Sequence, residues 1–224
     1  MPYNADLPIS AQVHASISSS LVNLATPDHT AYLDSVVLHS PYADSADTIV
    51  AWRALRTLVP HVIRHIGLAN STLEQIRAVD GSANSNSTLG GRVAVVQNRF
   101  YAATGFDADV REWCKQEDGG RSPTVAYQAF WTLTANPTLL RSPPVTTLMT
   151  QVNEAGGSLD AGAALYCLIL GLDGTAVMNG TTSEKRMRAD LEAVGRVSHW
   201  GESQEGQPVW KNCLLEFKRL VGDH

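Results

Sequence analysis

A histidine follows one of the most apolar stretches of the chain. The run 33–39 reads as a buried strand, His39 is its last residue, and Pro41 stops it. In a sheet of parallel strands, substrate sites lie at the carboxyl ends of the strands. Histidine can act there as an acid or base, or orient a substrate by hydrogen bonding. The position of His39 therefore predicts a role at an active-site rim.

Two further segments have side chains suited to binding a ligand. Phe130 and Trp131 stand at the exit of another predicted strand, where aromatic rings either bind a ligand or pack. The turn 180–183, Gly-Thr-Thr-Ser, brings small residues, hydroxyl groups and backbone N–H groups to the start of a helix. Such a turn either caps the helix or binds phosphate.

The sequence predicts no metal site. His61 and His65 bracket a strand without a third ligand nearby, whereas a structural or catalytic zinc site needs at least three protein ligands. The three cysteines are odd in number and far apart, which indicates free, mostly buried thiols: Cys114, Cys167 and Cys213.

Composition excludes several classes of partner. The net charge is -5 and no basic block offsets it, so we expect neither nucleic acid nor an anionic membrane as a partner. No run approaches the roughly 18 apolar residues of a membrane span. The N-terminus has no basic region followed by an apolar core, so it does not resemble a signal peptide and we expect a cytoplasmic location.

Strand and helix patterns alternate along the chain. The predicted strands cover 33–39, 61–67, 92–97, 124–130 and 175–178, and polar loops cover 80–91 and 117–123. Helical periodicity covers 7–24, 45–59, 71–79, 107–116, 143–155, 159–170, 183–194 and 206–221. Ser71, Asp107 and Ser158 are the predicted caps of three of these helices.

This alternation predicts an α/β fold with a parallel sheet and outer helices. A closed barrel of this kind needs eight strands and about 250 residues. The chain has 224 residues and five predicted strands, so we expect a single domain, 1–224, in the form of a partial barrel.

The predicted strands and their exit loops resemble the aldo-keto reductases. The segments YLDSVVLHSP, HIGLANSTL, VAVVQNRFYAATGFD, YQAFWTLTANPTLLRSP and VMNGTTSEKRMRADLEA occur in the family's order, between about Tyr3 and Leu191. QNRFY and FWTLTANP are most similar to fungal members. The resemblance implies a TIM-barrel-like (β/α) fold that lacks the N-terminal strands.

The resemblance also implies a role for each matched residue. His39 matches the catalytic-pocket histidine, Asn70 and Gln97 match the amides that bind the nicotinamide carboxamide, and Phe130 matches an aromatic ring under the nicotinamide. Trp131, Leu133 and Thr134 are expected along the pyrophosphate, and Gly180, Thr181, Thr182 and Arg186 around the adenosine 2'-phosphate. Two positions depart from the family, because Ala69 replaces a serine and Gly180 a common lysine.

By this resemblance the chain is an NADP-dependent oxidoreductase, with NAD left open, that acts on a small carbonyl or alcohol substrate. The family's catalytic aspartate, tyrosine and lysine lie in a region that precedes residue 1, so we expect impaired turnover with His39 alone.

Three alternatives stay open. A repurposed half-barrel could bind small molecules without redox chemistry, or catalyse a cofactor-independent isomerisation or cyclisation with His39 as acid or base. The chain could also be a fragment of a longer enzyme. Finally, a partial barrel has two sheet edges, at 33–39 and 175–178, through which a homodimer could form.

Overall fold

Five parallel strands form one sheet in the computed structural model, which describes residues 6–26, 32–81, 91–116 and 125–223. The strands follow one another in the sheet in chain order: β1 Leu33–Leu38, β2 Ile63–Ala69, β3 Val93–Arg99, β4 Ala126–Phe130 and β5 Thr175–Val177. The predicted parallel α/β fold is therefore confirmed, with each strand within two residues of its predicted position.

Eight α-helices lie within the described ranges, and each overlaps a predicted helix. They are α1 Ile9–Asn23, α2 Ser45–Arg56, α3 Leu73–Gly81, α4 Ala108–Lys115, α5 Pro143–Glu154, α6 Ala161–Leu170, α7 Glu184–Glu202 and α8 Gly206–Leu220. No helix in the described ranges is long and apolar enough to cross a membrane. The three cysteines are free and buried, as predicted.

The chain divides into two compact units, 1–97 with 119–125 and 98–118 with 126–224. In the first unit, Val37 of β1 pairs with Gly67 of β2, which pairs with Val95 of β3. A Cβ atom on Gly67 would lie 2.4 Å from the Val95 carbonyl oxygen, so this close approach requires glycine. One domain over 1–224 remains a prediction.

The core of the second unit surrounds α6. Residues 163–169 of this helix are buried on every side, as expected for a helix that is apolar all round. Helices α5, α7 and α8 and strand β5 pack against it. Leu148, Leu165, Leu168 and Phe217 are among its fully buried side chains.

A buried ion pair ties the C-terminal segment to α4. Arg111 Nη1 lies 2.6 Å from Asp223 Oδ1, and Arg111 Nη2 donates to the Val221 carbonyl at 2.9 Å. Burial alone would raise the pKa of Asp223. The hydrogen bond from Lys115 and the charges of Arg111, Lys115 and Lys218 outweigh that effect and lower its pKa. The carboxylate therefore stays ionised among cations.

Two predicted caps are wrong, and a third is incomplete. Asp160, not Ser158, caps α6, where its side chain accepts from the Ala163 N–H at 2.8 Å. Thr72, not Ser71, caps α3. Its Oγ1 accepts from the Gln75 N–H, while Gln75 Oε1 accepts from the Thr72 N–H, which is the reciprocal pattern of a capping box.

Asp107 precedes α4 as predicted, but its side chain makes no capping hydrogen bond. It is buried, and its Oδ2 accepts from Asn98 Nδ2 at 2.7 Å and from the Tyr127 hydroxyl at 3.2 Å. Burial raises the pKa of Asp107 in spite of these hydrogen bonds, and burial together with the Asp107 charge raises the pKa of Tyr127. The residue is thus the centre of an internal polar cluster.

One other predicted boundary differs from the structure. Helix α7 continues to Glu202 instead of ending near Val194. The added turns are stabilised because they bury the Val197 side chain. Most of the two predicted loops lies outside the described residues, at 82–90 and 117–123. At the base of the first loop, Asp80 Oδ1 accepts from the Val93 N–H and Asp80 Oδ2 pairs with Arg92.

Candidate functional site

In the first unit, Asn70 joins the carboxyl ends of three strands. Its Nδ2 donates to the His39 carbonyl oxygen at 2.8 Å, and its backbone N–H donates to the Gln97 carbonyl oxygen at 3.1 Å. Asn70 has a φ of 54°, in the left-handed region that asparagine tolerates better than most residues. The structure thus brings close together His39, Asn70 and Gln97, which the resemblance assigned to one site, and their roles stay predictions.

The polar groups at this edge suit a carboxamide or a carbonyl ligand. The His39 side chain is exposed, and Gln97 is half-buried. One Nδ2 hydrogen of Asn70 is used by His39, which leaves the second hydrogen as a donor and Oδ1 as an acceptor. Ala69 is buried and has no hydroxyl, and the hydroxyl of the neighbouring Ser71 donates to the Ala69 carbonyl. The family's serine contact therefore has no obvious replacement.

In the second unit, an aromatic pair stands at the exit of β4. The rings of Phe130 and Trp131 meet edge to face, with their centroids 6.3 Å apart. Trp131 has a φ of 57° and its side chain remains 54% exposed. The guanidinium of Arg99, the last residue of β3, lies over the Trp131 ring at 4.4 Å from its centroid. A cation is thus stacked on an exposed indole.

Asn136 holds the turn that carries Trp131. It is buried, and its Nδ2 donates to the Phe100 carbonyl at 2.6 Å and to the Thr132 carbonyl at 2.9 Å. The Phe100 N–H in turn donates to the Phe130 carbonyl at 3.0 Å. These bonds fix the exit turn of β4 to the segment after β3, so the aromatic pair has a defined position.

The other predicted residues of this turn have different surroundings. The Leu133 side chain lies against Gly162 in the first turn of α6, whereas Thr134 is exposed. The buried Thr132 shares a side-chain hydrogen bond with Tyr166 of α6. Burial, followed by the negative charge of Asp190, raises the pKa of Tyr166. Packing with α6 thus adds to the support of the turn.

A chain of side-chain hydrogen bonds shapes the approach to α7. Asn179 Oδ1 accepts from the Thr181 N–H at 2.9 Å, and Thr181 Oγ1 accepts from the Ser183 N–H at 3.1 Å. Ser183 is the N-cap, and its Oγ accepts from the Arg186 N–H at 3.4 Å. Gly180 and Thr182 are exposed. Asn179, Thr181 and Ser183 therefore each accept from a backbone N–H two or three residues later.

The cations at the start of α7 differ in their pairing. Arg188 binds Glu184 of the same helix at 2.7 Å. Lys185 and Arg186 form no ion pair with any residue that the structure describes. Two unpaired cations therefore flank a helix N-terminus, where the helix dipole also favours a negative charge. This arrangement of charges favours an anion such as a phosphate.

Two residues of the candidate site are absent from the sequence-based prediction. Arg99 follows Gln97 by two positions, so strand alternation alone could have placed both on one face of β3. Asn136 lies in a polar turn, and its partners at 100 and 132 could not be identified without the fold.

The described ranges contain no group of three or more histidine, cysteine or acidic residues placed to bind a metal. His65 Nδ1 lies 3.1 Å from the Asp34 carbonyl oxygen.

Comparison with known proteins shows the fold but no close relative in sequence. No protein-family model matches the chain, and no curated protein matches it. An aldo/keto reductase from Brucella melitensis superposes with a TM-score of 0.65 at 15% identity, covering 95% of this chain and 70% of that one. An aldo-keto reductase from a Medee basin deep-sea metagenome library gives 0.66 at 14% identity, covering 94% and 68%.

A third similar structure is an aldo-keto reductase from Klebsiella pneumoniae in complex with NADPH, with a TM-score of 0.62 at 19% identity, covering 94% of this chain and 65% of that one. At such identities the likeness shows the fold, and the fold predicted from the resemblance is confirmed over most of the chain. The chain spans about two thirds of the length of these enzymes.

Proposed function

We propose that this chain is an aldo-keto reductase-like oxidoreductase that binds NADP(H). The observation that carries the proposal is the start of α7, where a serine-capped N-terminus follows β5 beside the unpaired Lys185 and Arg186. Barrels of parallel strands bind phosphate in the loops after their last strands and at a helix N-terminus. Arg186 can pair bidentately with the 2'-phosphate that distinguishes NADP from NAD.

The similar structures support this choice of cofactor. Two solved aldo-keto reductases from Klebsiella pneumoniae contain NADPH or NADP. In this chain, Gly180, Thr181 and Thr182 would surround the 2'-phosphate with Arg186, while Trp131, Leu133 and Thr134 would lie along the pyrophosphate. NAD stays an alternative, because Gly180 occupies a position where the family often has a lysine.

The nicotinamide end of the cofactor would be held by amides and an aromatic ring. Asn70 and Gln97 can each donate and accept a hydrogen bond, as a carboxamide requires, and Phe130 would lie against the ring. NADPH supplies a hydride to a carbonyl carbon when it is bound. The exposed His39 imidazole can orient a small carbonyl or alcohol substrate by hydrogen bonding.

We expect the chain to bind NADP(H) measurably, whereas the rate at which it reduces a carbonyl is a separate question. The resemblance assigns only His39, of the four catalytic residues of the family, to a position in this chain. A general acid typically contributes on the order of 10²–10⁴-fold to a rate, so binding and reduction of a carbonyl are measured separately. We therefore propose an oxidoreductase-like protein whose cofactor binding is measurable even where reduction of a carbonyl is slow.

Fluorescence titration with NADPH tests this proposal. Binding beside Trp131 should quench tryptophan emission with a saturable curve, and Trp131→Phe should remove most of the change. Trp113→Phe is the control, since this indole is buried in α4 and should leave the quenching intact. Absence of quenching at millimolar NADPH would refute cofactor binding and favour the non-redox alternative, a small-molecule-binding protein or a cofactor-independent isomerase or cyclase.

Assembly, location and origin are further proposals. Strands β1 and β5 are the two ends of the strand order, and a homodimer through these edges would satisfy their backbone groups. Light scattering should give the mass of a dimer, and a monomer at every accessible concentration would contradict it.

The cytoplasmic location and the similarity to fungal members remain predictions from the sequence.

A further inference from the structure

We infer that a cleft between α6, α7 and α8 of the second unit binds a small organic cation, an aromatic ring with an ammonium group on a short chain. The cleft has a volume of about 280 Å³. Its lining comes from the end of α6, the second half of α7 and the first turns of α8. An apolar cavity of about 150 Å³ is enough to hold benzene, so this volume suits one ring and its side chain.

The cleft lies away from the residues assigned to the cofactor. Helix α6 ends at Leu170, just before β5, so the cleft is at the amino end of that strand, whereas the turn 180–183 follows its carboxyl end. Within α7, Ser198 of the cleft lies about 21 Å along the helix axis from Glu184. The residues proposed to bind NADP(H) are not among the described residues that line the cleft. The ligand site is therefore independent of the proposed function.

Trp210 forms one apolar side of the cleft, and two glycines allow its close approach. A Cβ atom on Gly171 would lie 3.1 Å from Trp210 Cζ2, and a Cβ atom on Gly201 would lie 3.4 Å from Trp210 Cγ. The indole thus packs against the ends of both α6 and α7. Val197 is buried beside the cleft, whereas the Leu170 side chain remains 40% exposed. A ligand ring in the cleft would cover this apolar surface, which favours binding.

The charge of the cleft favours a cation. Glu202 is the one acidic residue, and no lysine, arginine or histidine is present, among the described residues of the lining. The Glu202 carboxylate is exposed and forms no ion pair or hydrogen bond with any residue that the structure describes. Burial raises the pKa of the Cys167 thiol to about 12, so this group stays neutral. Because a carboxylate only accepts hydrogen bonds, it selects a donating head group and repels an anion.

Three ligands of similar size and different charge test the cleft without any cofactor. They are phenethylammonium, the neutral phenethyl alcohol and the hydrocinnamate anion, each titrated into the isotope-labelled chain and followed by NMR. Phenethylammonium should shift the Trp210 indole signal saturably and leave the Trp131 indole signal unchanged. It should bind about three-fold or more tightly than the alcohol, as expected for an exposed ion pair, and hydrocinnamate should bind most weakly. Equal binding of the ammonium ion and the alcohol, or no shift at Trp210, would overturn the inference.

Glutamine variants test whether Glu202 supplies the preference. In Glu202→Gln the ammonium ion and the alcohol should bind equally, while the affinity for the alcohol stays within about two-fold of the wild type. Glu192→Gln is the matched control, because this carboxylate is exposed on the same helix and is not part of the lining. A preference that survives in Glu202→Gln, or is lost in both variants, would show that Glu202 does not select the ligand. If NADPH fails to bind while the ammonium preference persists, only the proposed cofactor function is refuted.

Discussion

Asp107 combines two features that a carboxylate rarely shows together, a buried side chain and a left-handed backbone with a φ of 53°. Its pKa is raised above the usual 3.8, first by burial, although Asn98, Thr104 and Tyr127 donate hydrogen bonds to it. The native state therefore binds a proton more readily than the unfolded chain. Stability falls as the pH rises from about 4 through the folded pKa of this group.

Asp107→Asn should stabilise the protein at neutral pH. The asparagine carbonyl oxygen can accept from Asn98 and Tyr127 in place of the carboxylate, and asparagine tolerates a positive φ. The gain in the free energy of unfolding over the wild type should grow as the pH rises above about 4, as measured by urea denaturation. Asp107→Ala, the comparison, should instead cost about 1–3 kcal/mol because two buried donors lose their acceptor. Equal losses in both variants would show that the negative charge itself is required.

The sequence indicated which residues lie near one another at the strand ends, but it did not indicate contacts between residues that are distant along the chain. The structure brings His39, Asn70 and Gln97, which the resemblance assigned to one site, close together, and their roles in binding stay predictions. Asp107 and Asn136 depend on residues that reach them only through the fold, and the sequence offered a cap and a polar turn instead. Arg99 could have been recognised from its spacing to Gln97.

The helices were predicted from apolar periodicity. This is a local pattern, because apolar residues at helical spacing form the face that the helix buries. Their ends were less accurate, because several Ser, Thr and Asp residues compete for each cap and the backbone decides between them. At α6 the sequence-based prediction was Ser158, whereas in the structure Asp160 has an extended backbone and its side chain accepts from the Ala163 N–H. Substitution of each residue by alanine should therefore have a different effect on the free energy of unfolding.

Asp160→Ala should destabilise the protein by about 1 kcal/mol, since a capping side chain is lost from a buried helix. Ser158→Ala is the matched control, and a change within about 0.5 kcal/mol is expected because an exposed surface side chain is removed. Thermal and urea unfolding of both variants measure the difference. A larger loss in the serine variant would restore the sequence-based assignment of the cap.

At the scale of the whole molecule, the chain order of the strands was sufficient to predict one parallel sheet, since each strand is followed by a helix. The ion pair between Arg111 and Asp223 could not be predicted, because 112 positions separate the two residues. It fixes the C-terminal segment within the second unit. Its contribution depends on pH, because the folded pKa of Asp223 is lowered below 3.8.

Asp223→Asn should cost about 3 kcal/mol at pH 7, since the buried Arg111 loses its counterion. A lowered folded pKa gives stability that is present above the unfolded pKa and lost as the pH falls through the folded value. The difference between variant and wild type should therefore shrink below about pH 4. Asp173→Asn is the control, because this exposed carboxylate also pairs with Lys218 and should contribute less than about 1 kcal/mol. A pH-independent loss in Asp223→Asn would contradict the role of the charge.

Calorimetric titration with NADPH and NADH tests the proposed cofactor function most directly. The wild type should bind NADPH about ten-fold or more tightly than NADH, because one charge-assisted contact to the 2'-phosphate is worth at least 1.4 kcal/mol. Arg186→Gln should reduce that preference to near unity, and Arg219→Gln should leave it unchanged. Failure of both cofactors to release or absorb heat at millimolar concentration, with the protein folded, would contradict the account.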